Sequence, residues 1–331
     1  MEKEYDKYKL GYHANGRKDI FNERHIYELK DKTEYLDFLL KGTGYTLTNS
    51  QRTIPVAGFV HEADITELWS EYKALNERGD RPLKISFNTL MLRIVAECLK
   101  AAPILNAHMT YKPFTATGKL EYKEKIEVSM PIIFPNGRML PLLVHDAGNK
   151  NLNELAAYVK DMERRLANTI IEESMFDLSA DRLGELIKQG KPLQALCTAI
   201  AGVVGPGKLK FPPLKARLAY RKNEKSEDLI TKDDIGEGTV CVSDVGSIYS
   251  GRGFATTSPV LSPTTAVFAF CRVRDEQRVY KDENGVLQLE YRKILPFTLL
   301  FDHKIGGFPD IVPFLNRMDE IIDDPTVIRE W

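Results

Sequence analysis

Of the histidines in this sequence, His303 has the position best suited to proton transfer. An apolar, strand-like run that begins at Leu295 ends just before it, and the pair Gly306 and Gly307 precedes a helical pattern. The sequence therefore places His303 at a strand-to-helix junction. Because an unperturbed imidazole titrates near pH ~6.5, its free nitrogen can take a proton from a thiol and later return it. A structural histidine beside a turn is the alternative that this residue alone leaves open.

The composition excludes some classes of function. The chain has 331 residues, and its 46 Lys plus Arg are balanced by 47 Asp plus Glu, so nucleic acid is not an expected partner. Neither the four cysteines nor the other five histidines show the spacing of a zinc or dithiol site, and we expect no metal. These residues are Cys98, Cys197, Cys241, Cys271, His13, His25, His61, His108 and His145. The N-terminus is charged and lacks the apolar stretch of a secretory signal, so we expect a cytoplasmic protein.

Hydrophobic periodicity predicts helices and strands that are mixed throughout the chain. Apolar residues at helical spacing predict four amphipathic helices, through Ile65 to Leu75, over 87–99, through Leu155 to Leu166 and through Ile311 to Ile322, and a short helix is expected near 32–40. Strands are predicted at 54–60, 119–133, 138–144, 240–242, 266–273, 278–281, 287–292 and 295–301. Asn-Gly pairs at 136–137 and 284–285 predict hairpin turns. This mixture favours a layered α/β sandwich.

Residues 170–226 interrupt this order and have the character of an inserted segment. A helical pattern is followed by the apolar run 192–204, a Gly-Pro-Gly break and a basic stretch from Lys208 to Lys222. The apolar run is shorter than the ~20 residues that a membrane span requires. A hydrophobic subunit contact with a solvated basic flank is the simpler interpretation. Peripheral contact with an anionic membrane or with a partner protein, through 192–222, is the alternative.

Five colinear segments resemble the catalytic domain of the dihydrolipoamide acyltransferases of 2-oxoacid dehydrogenase complexes, and chloramphenicol acetyltransferase is a more distant relative. The segments are 63–68 (ADITEL), 103–107 (PILNA), 126–144, 238–247 (GTVCVSDVGS) and 301–304 (FDHK). The resemblance implies a two-layer sandwich of the chloramphenicol acetyltransferase-like type, with a mixed sheet and packed helices. It also implies a homotrimer or a higher assembly in which each active site lies between two subunits.

The same resemblance implies the chemistry of the site. His303 falls on the histidine that acts as general base toward the attacking thiol, and Ser243 falls on the serine that donates a hydrogen bond to the tetrahedral oxyanion. A thiolate must be generated and negative charge on the former carbonyl oxygen must be stabilised, which is what these two groups supply. The implied substrates are a coenzyme A thioester and an acceptor that the sequence does not identify.

The chain departs from the family pattern at several positions. Gly307 replaces the family aspartate that braces the active-site turn, and Phe308 replaces the glycine that follows it. Asp302 or Asp310 are the candidates to compensate for the lost aspartate. Lys304 replaces arginine, which keeps the charge and removes a planar fork of donors, and Asp244 stands where asparagine is common. Residues 1–52 form an N-terminal arm too short for a lipoyl domain, so we expect a stand-alone catalytic domain over 53–331 without an attached lipoyl group.

Three functional hypotheses follow. The leading one is transfer of an acyl group from an acyl-coenzyme A-type thioester, with His303 as base and Ser243 as oxyanion donor. The second is a catalytically impaired trimeric scaffold or binding protein of the same fold, which the loss of the family aspartate at Gly307 favours. The third is chemistry on a carrier-bound substrate, and it ranks last because Asp302 occupies the place of the first of two paired histidines in such enzymes.

Overall fold

The computed structural model describes residues 3–10, 31, 33, 35–133, 139–188, 190–204, 208, 210–256 and 260–331. The chain divides into two compact units. The helical unit comprises Met1–Asn49, Ile132–Leu140 and Lys160–Ile235, and the sheet unit comprises Ser50–Pro131, Pro141–Val159 and Gly236–Trp331. The predicted boundaries of the arm, the catalytic domain and the insert remain predictions.

A seven-stranded mixed sheet organises the sheet unit. Its order is β1-β9-β7-β6-β4-β5, with β8 paired to β9. The strands are β1 Val56–Asp64, β4 Val128–Ile133, β5 Met139–Val144, β6 Val240–Asp244, β7 Ala266–Phe270, β8 Arg274–Lys281 and β9 Leu287–Asp302; β2 Ala107–Lys112 and β3 Thr117–Tyr122 form a separate pair. β6 runs parallel to β4 and β7, whereas β9 is antiparallel to its neighbours. The predicted α/β fold with a mixed sheet and packed helices is confirmed.

Strand β9 differs from its prediction in length. Two strands were expected at 287–292 and 295–301, but the chain continues through Lys293 and Ile294, which pair with Asp275 and Arg274 of β8. Its last nine residues are all buried, as expected for a central strand covered on both faces. The hairpin turn before it is confirmed, since Gly285 has φ +76° and donates its N–H to the carbonyl of Asp282 at 2.8 Å.

The helices of the sheet unit follow the predicted periodicity closely. They are α2 Thr66–Glu77, α3 Phe87–Ala101 and α8 Phe308–Asp323. Helix α2 buries Leu68, Tyr72 and Leu75, and it ends before Gly79, whose φ is +69°. Helix α8 buries Phe314 and Ile321, so its core face is rotated slightly from the predicted one, because spacings of three and four both fit a period of 3.6 residues.

Two predictions near the N-terminus were wrong in position. The helix expected near 32–40 is α1 Phe38–Thr53, and residues 35–37 are not helical. Asp37 sets its start, because its carboxylate accepts the N–H of Leu40 at 2.9 Å and so satisfies a donor in the first turn. The strand predicted at 54–60 is β1, displaced toward the C-terminus by its pairing with β9. The turn predicted at 134–137 lies outside the described residues.

The helical unit contains the whole of residues 170–226, the segment that has the character of an insert. Helix α4 Leu152–Asn168 enters it and is followed by α5 Ile171–Lys188, α6 Pro192–Val203 and α7 Leu214–Asn223. A small core joins Tyr5, Ile170, Ala216 and Tyr220. Within the described residues, no helix is long and apolar enough to cross a membrane.

Candidate active site

His303 lies directly after β9, at the predicted strand-to-helix junction. Its backbone N–H donates to the carbonyl of Pro55 at 2.8 Å, which holds the residue against the chain that enters β1. The side chain is exposed, with its ring 5.8 Å from the ring of Phe301, centroid to centroid. The imidazole is therefore anchored through its backbone and remains open to solvent on this copy of the chain.

The ring of His303 is oriented by a backbone carbonyl. Its Nδ1 lies 2.8 Å from the carbonyl oxygen of Gly306, three residues further along the chain. Because a carbonyl oxygen can only accept, this contact requires the proton on Nδ1 and leaves a lone pair on Nε2. That is the tautomer a general base needs.

The turn that supplies this carbonyl is braced by Asp310. Its carboxylate accepts the N–H of Gly307 at 2.8 Å, and the N–H of Asp310 returns a bond to the carbonyl of Gly307 at 3.1 Å. A Cβ added at Gly306 would overlap the carboxylate of Asp310. The brace that the resemblance assigns to residue 307 is thus supplied locally by Asp310, at the first turn of α8, where the helix dipole favours a carboxylate.

Gly307 itself has room for a side chain. Its backbone is extended, with φ -102° and ψ -172°, and a Cβ there would meet only the ring of Pro309, at 3.6 Å. The next departure, Phe308, packs its ring 5.8 Å from that of Phe59 on β1. The backbone at 307 is therefore unstrained.

The carboxylate of Asp302 interacts with Lys304 and not with the imidazole of His303. Asp302 is buried, with 1% exposure, and its carboxylate accepts the N–H of Lys304 at 3.0 Å and pairs with the Nζ at 3.0 Å. The same Nζ donates to the carbonyl of Thr53 at 2.7 Å. A cleft of ≈ 90 Å³ lies beside this pair. Its lining includes Thr53, Met109, Tyr111, Thr264, Asp302 and Lys304.

Ser243 is not brought to His303 within one copy of the chain. In the sheet register, Ser243 pairs with Ala269 of β7, and Ala269 pairs with Thr298 of β9. At about 3.3 Å per residue and ~4.8 Å per strand, His303 lies ~16 Å further along the sheet and ~10 Å across it. Among the residues that the structure describes, none bonds the Ser243 hydroxyl. The two predicted site residues therefore stand at different places in the sheet.

Two titratable groups near β6 were missed by sequence reasoning. Burial raises the pKa of the Glu237 carboxyl to about 7 and that of the Cys241 thiol to about 12. Burial also raises the pKa of Asp244, whose carboxylate caps the N–H of Ser247 at 3.0 Å.

The remaining described histidines have local partners. His145 Nδ1 lies 2.6 Å from Glu127, His108 Nε2 lies 2.9 Å from the carbonyl of Gly238, and His61 stacks on Phe59. Within the described residues, no three His, Cys, Asp or Glu side chains cluster as metal ligands would. The prediction that the protein needs no metal remains a prediction.

Comparison with known proteins gives the family. The sequence profile of the 2-oxoacid dehydrogenases acyltransferase (catalytic domain) family matches residues 29–177 and 206–329. The chain belongs to this family. Residues 178–205 fall between the two matched stretches, so α6 lies outside what the family profile describes. The resemblance stated from the five colinear segments is thereby confirmed.

A curated acyltransferase relative is the dihydrolipoyllysine-residue acetyltransferase component of the pyruvate dehydrogenase complex of Mycoplasma capricolum. It is 21% identical over 289 residues, covering 87% of this chain and 50% of the relative. The chain thus spans about half the length of the curated relative that it matches.

Solved structures of acyltransferase cores share the fold. The dihydrolipoamide acetyltransferase of Azotobacter vinelandii, studied for the role of one serine, one histidine and one asparagine in its mechanism, aligns with a TM-score of 0.58 at 18% identity, covering 92% of this chain and 98% of that one. A truncated catalytic core of the 2-oxoacid dehydrogenase multienzyme complex of Thermoplasma acidophilum aligns with a TM-score of 0.55 at 17% identity, covering 89% and 99%. At these identities the similarity concerns the fold alone.

Proposed function

We propose that this protein is a cytoplasmic acyltransferase that moves an acyl group from an acyl-coenzyme A-type thioester to an acceptor, with a thiol as the first acceptor to test. The observation that carries the proposal is the contact between His303 Nδ1 and the Gly306 carbonyl. It leaves Nε2 as a base at the position that the family's catalytic histidine occupies. In the Azotobacter enzyme the asparagine follows the histidine by four residues, and here that position is Gly307.

The reaction balances with these residues alone. Nε2 of His303 takes the proton of the acceptor thiol, and the thiolate attacks the thioester carbonyl to form a tetrahedral oxyanion. The hydroxyl of Ser243 donates a hydrogen bond to that oxyanion. When the intermediate collapses, the carbon–sulfur bond to coenzyme A breaks, and the leaving thiolate recovers the proton from the imidazolium. No metal or attached lipoyl group takes part.

The proposal requires more than one copy of the chain. Because the sheet register holds Ser243 and His303 roughly 20 Å apart, the serine reaches the oxyanion only from a neighbouring subunit. A homotrimer in which each site lies between two subunits meets this requirement, as does a higher assembly built from such trimers. One relative by fold is the cubic core of a pyruvate dehydrogenase complex.

A catalytically impaired trimeric scaffold or binding protein is the second candidate, and Gly307 favours it, since it carries no side chain to brace the turn. The bond from Gly307 to Asp310 weakens that argument, because it supplies a brace from within α8. The scaffold predicts saturable binding of a protein or of coenzyme A without turnover.

The deciding experiment measures exchange of acyl groups between several acyl-coenzyme A donors and free dihydrolipoamide. The wild-type protein is expected to catalyse it, and His303→Ala is expected to lower kcat by about 10²–10⁴-fold with an unchanged melting temperature. His145→Gln, which alters another partly exposed histidine, is the matched control and should retain activity. Absence of turnover with every donor, beside measurable binding of coenzyme A, would favour the scaffold.

A further inference from the structure

Helix α6 leaves almost all of its described side chains in solvent although the helix carries no charge. Leu193, Leu196 and Ile200 are 74%, 56% and 50% exposed, and Val204, directly after the helix, is 61% exposed. Among its described side chains, only Ala195 is buried. Large aliphatic groups exposed side by side mark an interaction surface.

These residues form one continuous stripe. Leu193, Leu196, Cys197, Ile200 and Val204 occupy positions i, i+3, i+4, i+7 and i+11, which places them on one side of a helix. We call these five residues the α6 stripe. Helix α6 has 12 residues and is therefore about 18 Å long, too short for a hydrocarbon core of about 30 Å.

The surroundings of the stripe are basic. No Asp or Glu occurs between Glu185 and Glu224, whereas eight basic residues do. These are Lys188, Lys191, Lys208, Lys210, Lys215, Arg217, Arg221 and Lys222. The charges of Arg217 and Arg221 are engaged within the unit, because both side chains form ion pairs with the buried Glu173.

Lysines stand at both ends of the stripe. Lys191 directly precedes α6, and Lys208 and Lys210 follow it closely in the chain; all three are exposed. In the part of the chain that the structure describes, no carboxylate pairs with Lys208 or Lys210. Their positive charge is thus available to an anionic partner.

The charge argues against a second copy of the same surface. Two such faces in contact would place lysines against lysines, and like charges across an interface cost several kcal/mol. The family profile also omits residues 178–205, so the assembly of the family does not account for this helix.

We propose that the α6 stripe and the lysines at its ends bind the surface of an anionic phospholipid membrane. The aliphatic side chains enter the boundary between headgroups and acyl chains, and the lysines pair with lipid phosphates. The helix lies in the plane of the interface and does not cross it. The proposal does not depend on the acyl-transfer chemistry of His303 and Ser243.

Cys197 provides the probe. It is the exposed one of the four cysteines, whereas Cys98 and Cys271 are buried and Cys241 is partly buried. An environment-sensitive fluorophore attached to Cys197 of the full chain should shift to the blue on vesicles of mixed phosphatidylcholine and phosphatidylglycerol. It should not shift on phosphatidylcholine alone, and added salt should weaken binding. Flotation of the unlabelled protein with the same vesicles checks that the label does not cause binding.

Variants separate the apolar part from the charged part. Leu196→Asp with Ile200→Asp should weaken vesicle binding by about a hundredfold, because two aliphatic side chains that the membrane would bury are lost. Lys208→Gln with Lys210→Gln should weaken it by about 20-fold or more. The matched controls are Val279→Asp with Leu289→Asp, exposed residues of the β8–β9 hairpin, and Lys119→Gln on β3, and these should bind as wild type.

Several results would overturn the proposal. They are an absence of binding to anionic vesicles, equal binding to neutral ones, and undiminished binding of the α6 variants. A change of oligomeric state in the Leu196→Asp and Ile200→Asp variant, measured by light scattering without vesicles, would instead assign the stripe to a contact between copies of the chain. Acyl-transfer activity is read separately, so its failure leaves this test unaffected.

Discussion

The Nδ1 of His303 lies 2.8 Å from the carbonyl oxygen of Gly306, so the base of the proposed reaction is oriented by the chain that follows it. This turn contains three of the departures from the family pattern, Lys304, Gly307 and Phe308, and is closed by Asp310. An imidazole can thus be held by backbone geometry although residue 307 carries no side chain. The following expectations depend on that geometry and on the sheet register.

Asp310 is expected to position His303 without touching substrate. Asp310→Asn keeps the size of the side chain and loses the charge that holds the Gly307 N–H, so kcat should fall by about tenfold while KM for the thioester stays the same. Asp323→Asn, at the other end of α8, is the control and should leave kcat and KM unchanged. Steady-state kinetics measure kcat and KM. If the loss of activity were fully explained by a loss of thermal stability, Asp310 would be only a structural cap.

Gly307→Asn should be tolerated and should stabilise the protein. The backbone at 307 is extended, a Cβ there has room, and asparagine is a better N-cap than glycine by a few tenths of a kcal/mol. We expect a slightly higher Tm and an equal or higher kcat. Gly306→Ala is the contrasting variant, because its Cβ would displace Asp310 and should lower kcat. A destabilised Gly307→Asn protein would contradict this geometry.

Two inactive variants are expected to restore activity when mixed. Ser243→Ala should lower kcat by about 10²–10³-fold, and His303→Ala should lower it by about 10²–10⁴-fold. If one subunit gives the histidine and its neighbour the serine, reassembled mixtures contain intact sites, roughly a quarter of the total at equal amounts. Refolding the two variants together and assaying exchange measures this. Mixtures as inactive as their components would show that no site is shared.

The pH dependence of stability is expected to carry a contribution from Glu237. The pKa of the Glu237 carboxyl is raised to about 7 in the folded chain. At pH values between the ordinary pKa of a glutamate and about 7, the folded chain therefore keeps a proton that the unfolded chain releases. Stability from this group is therefore greatest at low pH and is lost as the pH rises through about 7.

Glu237→Gln removes that dependence. The variant should exceed wild type in free energy of unfolding by up to about 3 kcal/mol at pH ~8 and by less than about 1 kcal/mol at pH ~5. Urea unfolding at the two pH values measures the difference, with Glu283→Gln, an exposed carboxyl in the β8–β9 turn, as control. An equal gain at both pH values would show that burial of the charge is not its cause.

Local patterns predicted much of the fold. The helix through Leu68, Tyr72 and Leu75, its end near Gly79 and the turn at Gly285 all follow from periodicity and backbone preference, which act over a few residues. The start of α1 and the continuity of β9 did not follow, because they depend on a capping side chain and on pairing partners far away in the chain.

The sequence by itself determined the chemical inventory of the candidate site: an imidazole at a strand end, a serine in a strand and membership of an acyltransferase family. Only the tertiary structure decided that Gly306 orients His303 and that Ser243 lies far from it in the same copy. Turn closure and strand register arise from contacts between distant segments, and residue type alone does not encode which carbonyl or which neighbouring strand a side chain will meet.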